Sequence, residues 1–296
     1  MRRPEALASW LLCCALSLTV VMPAPAQLYF SGSLDVAYQH DLGQDDGELS
    51  STINRSLKGL SPFSLIRARL FADADVADNI TVFTTTLYDE GLGHFDMEGA
   101  YLVISELGGR EGVNLQVGKM ATVFGRFASR SFATANPLIG TPLIYQYFSA
   151  VHGDRVPEDA QQQLRWRDTS SANYQTRGLP TIYDACWNTG VQLFGATRHV
   201  AYAVAVTKGA LSNPAASSND GAQLLARLGV QPSMGLQLGA SMAWGPYLNQ
   251  SAGLGAAFPA GRSVEDFTQW IVGVDGAYSI WRCEITGELV HNRWEV

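Results

Sequence analysis

The residues best placed to act on a solute are charged side chains that recur at alternate positions. Arg67, Arg69, Asp73 and Asp75 share one parity of a single segment, with Ile66, Leu70 and Val76 on the other. Arg227 stands alone among Leu224, Ala226, Leu228 and Val230, Asp275 occupies the polar parity of another segment, and Arg282, Glu284 and Glu288 share the polar parity of the last one. Opposed charges of this kind across a water-filled lumen can set a transverse field that orients polar solutes. They can equally satisfy one another as internal salt bridges.

Period-two spacing requires strands, because successive side chains of a strand point to opposite faces, whereas a helix would scatter these charges around its circumference. The alternation recurs in eleven segments, near 27–42, 62–77, 79–90, 94–106, 113–124, 183–197, 199–209, 220–232, 234–248, 266–280 and 282–296. Leu236, Leu238, Ala240, Met242 and Trp244 oppose Gln237, Gly239, Ser241 and Gly245, and Trp270, Val272, Val274, Tyr278 and Ile280 oppose Gln269, Gly273, Asp275 and Ser279. The stretch from Ala100 to Ser105 is apolar on both parities, so its faces stay unassigned.

The connections decide between a soluble sandwich and a membrane barrel. Every second one is tight, at Asp78, Leu107–Gly112, Arg198, Ser233 and Trp281, while the others are mostly long and rich in Gly, Ser, Pro and Asn. One rim of short turns and one of long loops is the pattern of an outer-membrane barrel, and Greek-key crossovers have no reason to produce it. Phe30 and Tyr38, like Trp270 and Tyr278, bracket apolar faces. Eight residues at roughly 3.3 Å each, tilted by about 40°, rise about 20 Å, near the height of a barrel's apolar band. The expected fold is all-β, a transmembrane antiparallel up-and-down barrel over 27–296, with outer-membrane lipid outside and a polar, small-residue lumen inside. Eleven strands would end the chain on the long-loop rim. A single-chain bacterial barrel has an even count with both ends at the short-turn rim. The reading therefore predicts missing C-terminal strands, or a further strand within 125–182.

The ends and the bulk composition agree with export. Arg2 and Arg3 precede an apolar run from Leu7 to Met22, and Ala24-Pro25-Ala26 follows, which predicts a signal peptide over 1–26 cleaved before Gln27 and an outer-membrane destination in a Gram-negative bacterium. No later run is long enough for a membrane helix. The formal net charge of -7 argues against a nucleic-acid partner. Cys186 and Cys283 are too few for a disulfide framework, and no zinc or cofactor spacing is present, so no metal and no cofactor are expected. His40, His94, His152, His199 and His291 lack metal-ligand spacing and are read as surface residues. An outer-membrane hydrolase would have to use His94 with Asp96, the best acid–base pair available. A soluble secreted β-domain that binds a ligand is the third alternative.

The long connection 125–182 is too long to be structureless in a compact domain. From Lys119 to Ile182 it carries seven basic residues (Lys119, Arg126, Arg130, Arg155, Arg165, Arg167, Arg177) against four acidic ones (Asp154, Glu158, Asp159, Asp168). Folded inward it would narrow a pore and bias it toward anions, and left outside it would be a solvated extracellular loop. The segment VGKMATVFGRFASRSFATANPLIGTPLIYQY, Val117 to Tyr147, resembles the one that follows an early strand in porins of the broad phosphate-selective porin-like superfamily. The resemblance implies a barrel of 16–18 strands, a constriction role for Lys119, Arg126 and Arg130, and a homotrimer. It also implies passive diffusion of small hydrophilic solutes or ions rather than catalysis. The run of basic residues that would form an arginine ladder is absent, so nothing points to phosphate itself.

Overall fold

The computed structural model describes residues 27–37, 65–89, 94–127, 142–145, 148–167, 178–183, 187–255 and 258–296. The expected signal peptide 1–26, Tyr38, His40, Arg130 and Cys186 lie outside them. Eleven strands form one antiparallel sheet in strict chain order: β1 (Gln27–Ala37), β2 (Leu65–Ala77), β3 (Ile80–Asp89), β4 (His94–Ile104), β5 (Asn114–Ala121), β6 (Trp187–Ala196), β7 (Val200–Thr207), β8 (Gln223–Ser233), β9 (Leu236–Pro246), β10 (Thr268–Ile280) and β11 (Cys283–Trp294). This is the up-and-down meander that the alternation predicts. The sheet is open: among the described residues β1 and β11 are its edges and do not pair with each other.

The register makes the sheet two-faced. Paired residues of an antiparallel ladder share a face. Phe30 with Ala72, Leu34 with Ala68, Val204 with Ala226, Trp244 with Trp270 and Val274 with Leu289 therefore all lie on one side. That side is open to the surroundings: Leu34 is 68 % exposed and Phe95 72 %. The other side carries Arg69, Gln192, Gln223, Ser241, Gln269 and Asp275, all buried. The stretch with no sequence-assigned face resolves here: Tyr101 and Val103 point inward beside Phe83 and Gln116, while Ala100, Leu102 and Ile104 point outward. Tyr101 stacks on Phe83 with ring centroids 5.2 Å apart.

Turn chemistry sorts the rims as expected, with one exception. Two residues join β8 to β9 (Met234–Gly235) and β10 to β11 (Trp281–Arg282), and Gly235 (φ 82°) and Trp281 (φ 53°) supply the positive φ that such hairpins use. The connections at the other rim run over 122–186, 208–222 and 247–267, but only four residues separate β3 from β4. The described residues of the longest connection include a helix, α1 (Ala160–Arg167), and an isolated bridge from Phe148 to Pro180. No twelfth strand occurs there among the described residues. The helix is too short to cross a membrane.

The sheet curls around its polar face. Gly125, four residues past β5, reaches Ser241 on β9, and its neighbour Arg126 reaches Glu288 on β11. Two packed clusters occupy the concavity. In the first, Met120, Ala205, Leu225, Ala243 and Ile271 from the strands enclose Phe124, Tyr145, Ile182 and Leu211 from the connections. The second is a layer of loops at the long-loop rim, built from Val151, Val156, Ala210, Ala216, Tyr247, Leu248, Ala252, Val264 and Phe267. The expectation of a lumen lined only by small and charged side chains is thus corrected. Large apolar groups point inward on β5, β8 and β10 because the connection after β5 folds onto them and removes them from water.

Candidate pore lining and constriction

The register sets Asp275 of β10 directly opposite Glu288 of β11, two carboxylates side by side on the inner face. Like charges so placed repel, and each needs its own donors. Asp275 is held by Arg227 of β8, whose Nη1 and Nη2 approach its two oxygens at 2.6 and 2.9 Å. This fork-to-fork ion pair spans the intervening strand β9. It can do so because the β9 residue beneath it is Gly239, where an added Cβ would lie 2.5 Å from Asp275 Oδ2 and 2.6 Å from Arg227 Nη2. Arg227 Nη1 also donates to Ser241 Oγ at 2.9 Å.

Glu288 is held by the incoming chain. Its Oε1 accepts the backbone N–H groups of Arg126 (2.5 Å) and Phe127 (2.8 Å), and its Oε2 accepts the Tyr145 hydroxyl (2.6 Å). One carboxylate therefore ties together the two described stretches that hold Arg126–Phe127 and Tyr145. Burial first, and the hydrogen bond to Glu288 second, push the Tyr145 phenol well above its usual range, which keeps it a donor. Gly125 N–H donates to Ser241 Oγ at 3.1 Å, joining this anchor to the Arg227–Asp275 pair. The Arg126 side chain turns toward the short-turn rim, donating to Gln237 Oε1 at 2.5 Å and lying 3.6 Å from Glu284. Phe127 packs on Tyr145 with ring centroids 4.9 Å apart.

The facing wall repeats the logic on β1, β2 and β4. Arg69 is 8 % exposed and bridges Glu98 (Nε 2.8 Å, Nη2 3.2 Å) and Asp35 (3.1 Å). Glu98 sits at the irregularity where the β3–β4 register slips, and the extra residue turns its carboxylate to the inner face. Arg67 and Asp73 share that face, and Asp75 accepts a hydrogen bond from Thr81 (2.7 Å) near the short-turn rim. Against the inner face of β5 to β8 a cavity of about 340 Å³ is lined by Asn114, Val123, Gln192, Phe194, Ala203 and Arg227.

Of the residues expected to line a lumen, Arg67, Arg69, Asp73, Asp75, Arg227, Asp275, Glu284 and Glu288 lie on the inner face. Arg282 does not: it is in the β10–β11 turn, its guanidinium 5.1 Å from the centre of the Trp281 ring, because β11 begins at Cys283, one residue later than the alternation suggests. Of the constriction candidates, Arg126 reaches the inner face of the sheet and Arg130 is outside the described residues. Lys119 points outward, since its partners Ala100 and Thr189 are on the outer face, and its ammonium donates to the Met97 carbonyl. Sequence reasoning missed Asp35, Glu98 and Tyr145, and placed Gly239 and Ser241 on the polar parity without giving them a role. Parity could have found Asp35. The bulge hides Glu98, and only tertiary proximity reveals Tyr145.

The loop layer corrects another expectation. His152 is buried (5 % exposed), edge-on to Trp166 of α1 with centroids 4.9 Å apart, and 3.9 Å from Asp154. Burial and the neighbouring Arg155 hold its imidazole below the usual histidine range. Asp154 is forked by Arg155 at 2.8 and 2.9 Å, which lowers its carboxyl. His94, His199 and His291 are exposed. His94 and Asp96 share the inner face of β4 near the long-loop rim, opposite Asp89 and Leu87.

No protein-family model matches the chain, and no curated protein matches it. Among solved structures, a loop-deletion mutant of OmpT, an outer membrane protein of Vibrio cholerae, is similar at 12% identity over 92% of this chain and 83% of that one, with a TM-score of 0.38. A mutant of Rh. blastica porin is similar at 13% identity over 91% of this chain and 98% of that one, with a TM-score of 0.28. At such scores the likeness assigns nothing to this chain, whose reading rests on its own geometry.

Proposed function

We propose that the chain forms the wall of an outer-membrane pore that lets small hydrophilic solutes diffuse passively. The observation that carries this reading is the sidedness of the sheet: large apolar side chains stand exposed along its outer face from β1 to β11, while the inner face is charged and amide-rich. An apolar surface of this extent is not tolerated in water and matches the acyl region of a bilayer. The segment anchored on Glu288 narrows the passage from one side.

The inner-face charges favour cations over the anions that the composition of the long connection alone suggests. Arg67, Arg69, Arg126 and Arg227 stand against Asp35, Asp73, Asp75, Asp96, Glu98, Asp275, Glu284 and Glu288, so carboxylates outnumber guanidiniums two to one among these described positions. Lys119, counted toward anion preference in the sequence, faces lipid in this reading. The test is conductance of the full-length protein in planar bilayers, with the reversal potential measured under a KCl gradient. Stable steps with a cation-selective potential support the reading. Heat-modifiable, bilayer-inserted protein that carries no current would overturn it.

A further inference from the structure

The outer face of β9–β11 at the long-loop rim carries groups that a pore does not need. The ladder sets Trp244 opposite Trp270, and Trp270 opposite Arg293, in one row across three strands. All three are exposed, and the alternate residues Gly245, Gln269 and Asn292 point inward, where Gln269 Nε2 donates to Asn292 Oδ1 at 3.2 Å. One pair further down the same face, His291 packs edge-on against Trp270 with centroids 6.0 Å apart. Arg262, from the loop before β10, lies over Phe267 at 4.1 Å and pairs with Glu295 at 3.1 Å. The rim at this point thus holds Arg262 and Arg293 together with Asp266 and Glu265, which accept the backbone N–H groups of Ser263 and Asp220, and the Glu295 carboxylate. That carboxylate is taken by Arg262, and Arg293 makes no ion pair among the described residues.

An unpaired guanidinium at the border of an apolar band is favourable only where it meets water or an anion, and its stem lets it reach headgroup depth. Trp rings settle at that same depth. We propose that the Trp244–Trp270–Arg293 row is a binding site for the phosphate of an anionic lipid in the leaflet at the long-loop rim. The two indoles seat the upper acyl region, and Arg293 pairs with the phosphate oxygens, which its planar fork can contact bidentately. Lys119, another outward cation near this rim, already donates to the Met97 carbonyl and supplies no equivalent site. The proposal rests on the sheet standing in a bilayer.

The test reconstitutes the full-length protein into phosphatidylcholine vesicles. These contain equal mole fractions of brominated phosphatidylglycerol or, separately, brominated phosphatidylcholine, and tryptophan quenching gives the relative association constant. Brominated phosphatidylglycerol is expected to associate about fivefold more strongly, equal to the ~1 kcal/mol that one basic residue contributes at an anionic surface. Arg293→Gln is expected to bring that ratio to one, leaving quenching by brominated phosphatidylcholine unchanged, and Arg282→Gln at the opposite rim to leave the ratio intact. Equal quenching by both lipids in the wild type would overturn the site while leaving the membrane wall standing. So would an equal loss in the two variants, which would mark a diffuse charge effect. Absence of quenching by either lipid would remove the membrane reading and the site with it.

Discussion

Replacing Glu288 tests whether the inward segment is fastened by one carboxylate. In Glu288→Gln the shape is kept and the charge is lost. The side chain accepts three hydrogen bonds, at 2.5, 2.8 and 2.6 Å. Bonds to a charged acceptor contribute about 1.5–3 kcal/mol each and neutral ones about 0.5–1.5, so three of them lose roughly 3 kcal/mol on neutralisation. That is a factor of about 150 in the equilibrium between the fastened and released segment. Glu288→Ala removes the acceptors altogether and leaves two part-buried N–H groups and a phenol without them, so its effect is larger. Hydrogen exchange at the amides of Arg126 and Phe127 reads this directly: protection is expected to fall strongly in Gln and further in Ala, with strand amides of β9 and β10 unchanged. In bilayers the same variants should show noisier current with larger steps, because the segment leaves the wall. Unchanged protection of those two amides in Glu288→Ala would refute the anchor.

Four further outcomes follow from the geometry. Arg69→Leu strands Glu98 and Asp35 without their cation, and breaking such a buried cluster costs about 3–5 kcal/mol, seen as a lower urea midpoint for the vesicle-inserted protein. Gly239→Val fills the gap under the Arg227–Asp275 pair and separates it, which a shift in reversal potential and a crystal structure of the variant would both register. Gly118→Ala places a Cβ 2.3 Å from the Ala100 carbonyl at φ +132°, so β4–β5 pairing is expected to fail and the yield of heat-modifiable protein to drop. For His152 the folded state disfavours the proton, so the unfolded loop binds more protons below its ordinary pKa of 6.5. Its contribution is fully present above pH 6.5 and is lost as pH falls from there toward the lowered folded value. Exchange protection of 149–156 should decline over that interval in the wild type and stay flat in His152→Gln.

The sheet was legible because its cause is local. A strand buried on one side must alternate, and Leu238–Gln237 or Val274–Asp275 state their faces within two residues; the tight turns read at Ser233, which the structure moves to Met234–Gly235, and at Trp281 then set chain order and rim. The polar inner face was legible by the same parity at Arg67, Arg69, Arg227 and Asp275. The reading failed where one extra residue changes the face: the bulge at Glu98 conceals the partner of Arg69. It failed also at Lys119, where parity contradicts a role carried over from a resemblance, and at Arg282, one residue outside a strand.

By itself, then, the sequence determined an eleven-strand meander with one apolar and one charged face, because side-chain period and turn chemistry act over a few residues. Only the tertiary structure decided that the chain after β5 folds inward rather than outward. The groups that hold it are separated by more than a hundred residues, Gly125 from Ser241 and Arg126 from Glu288, and no local pattern encodes such a meeting. Tertiary structure also decided that the two neighbouring carboxylates, Asp275 and Glu288, are satisfied by different partners. That outcome depends on curvature bringing a distant backbone against the wall, and on a glycine leaving room for an arginine to reach across a strand.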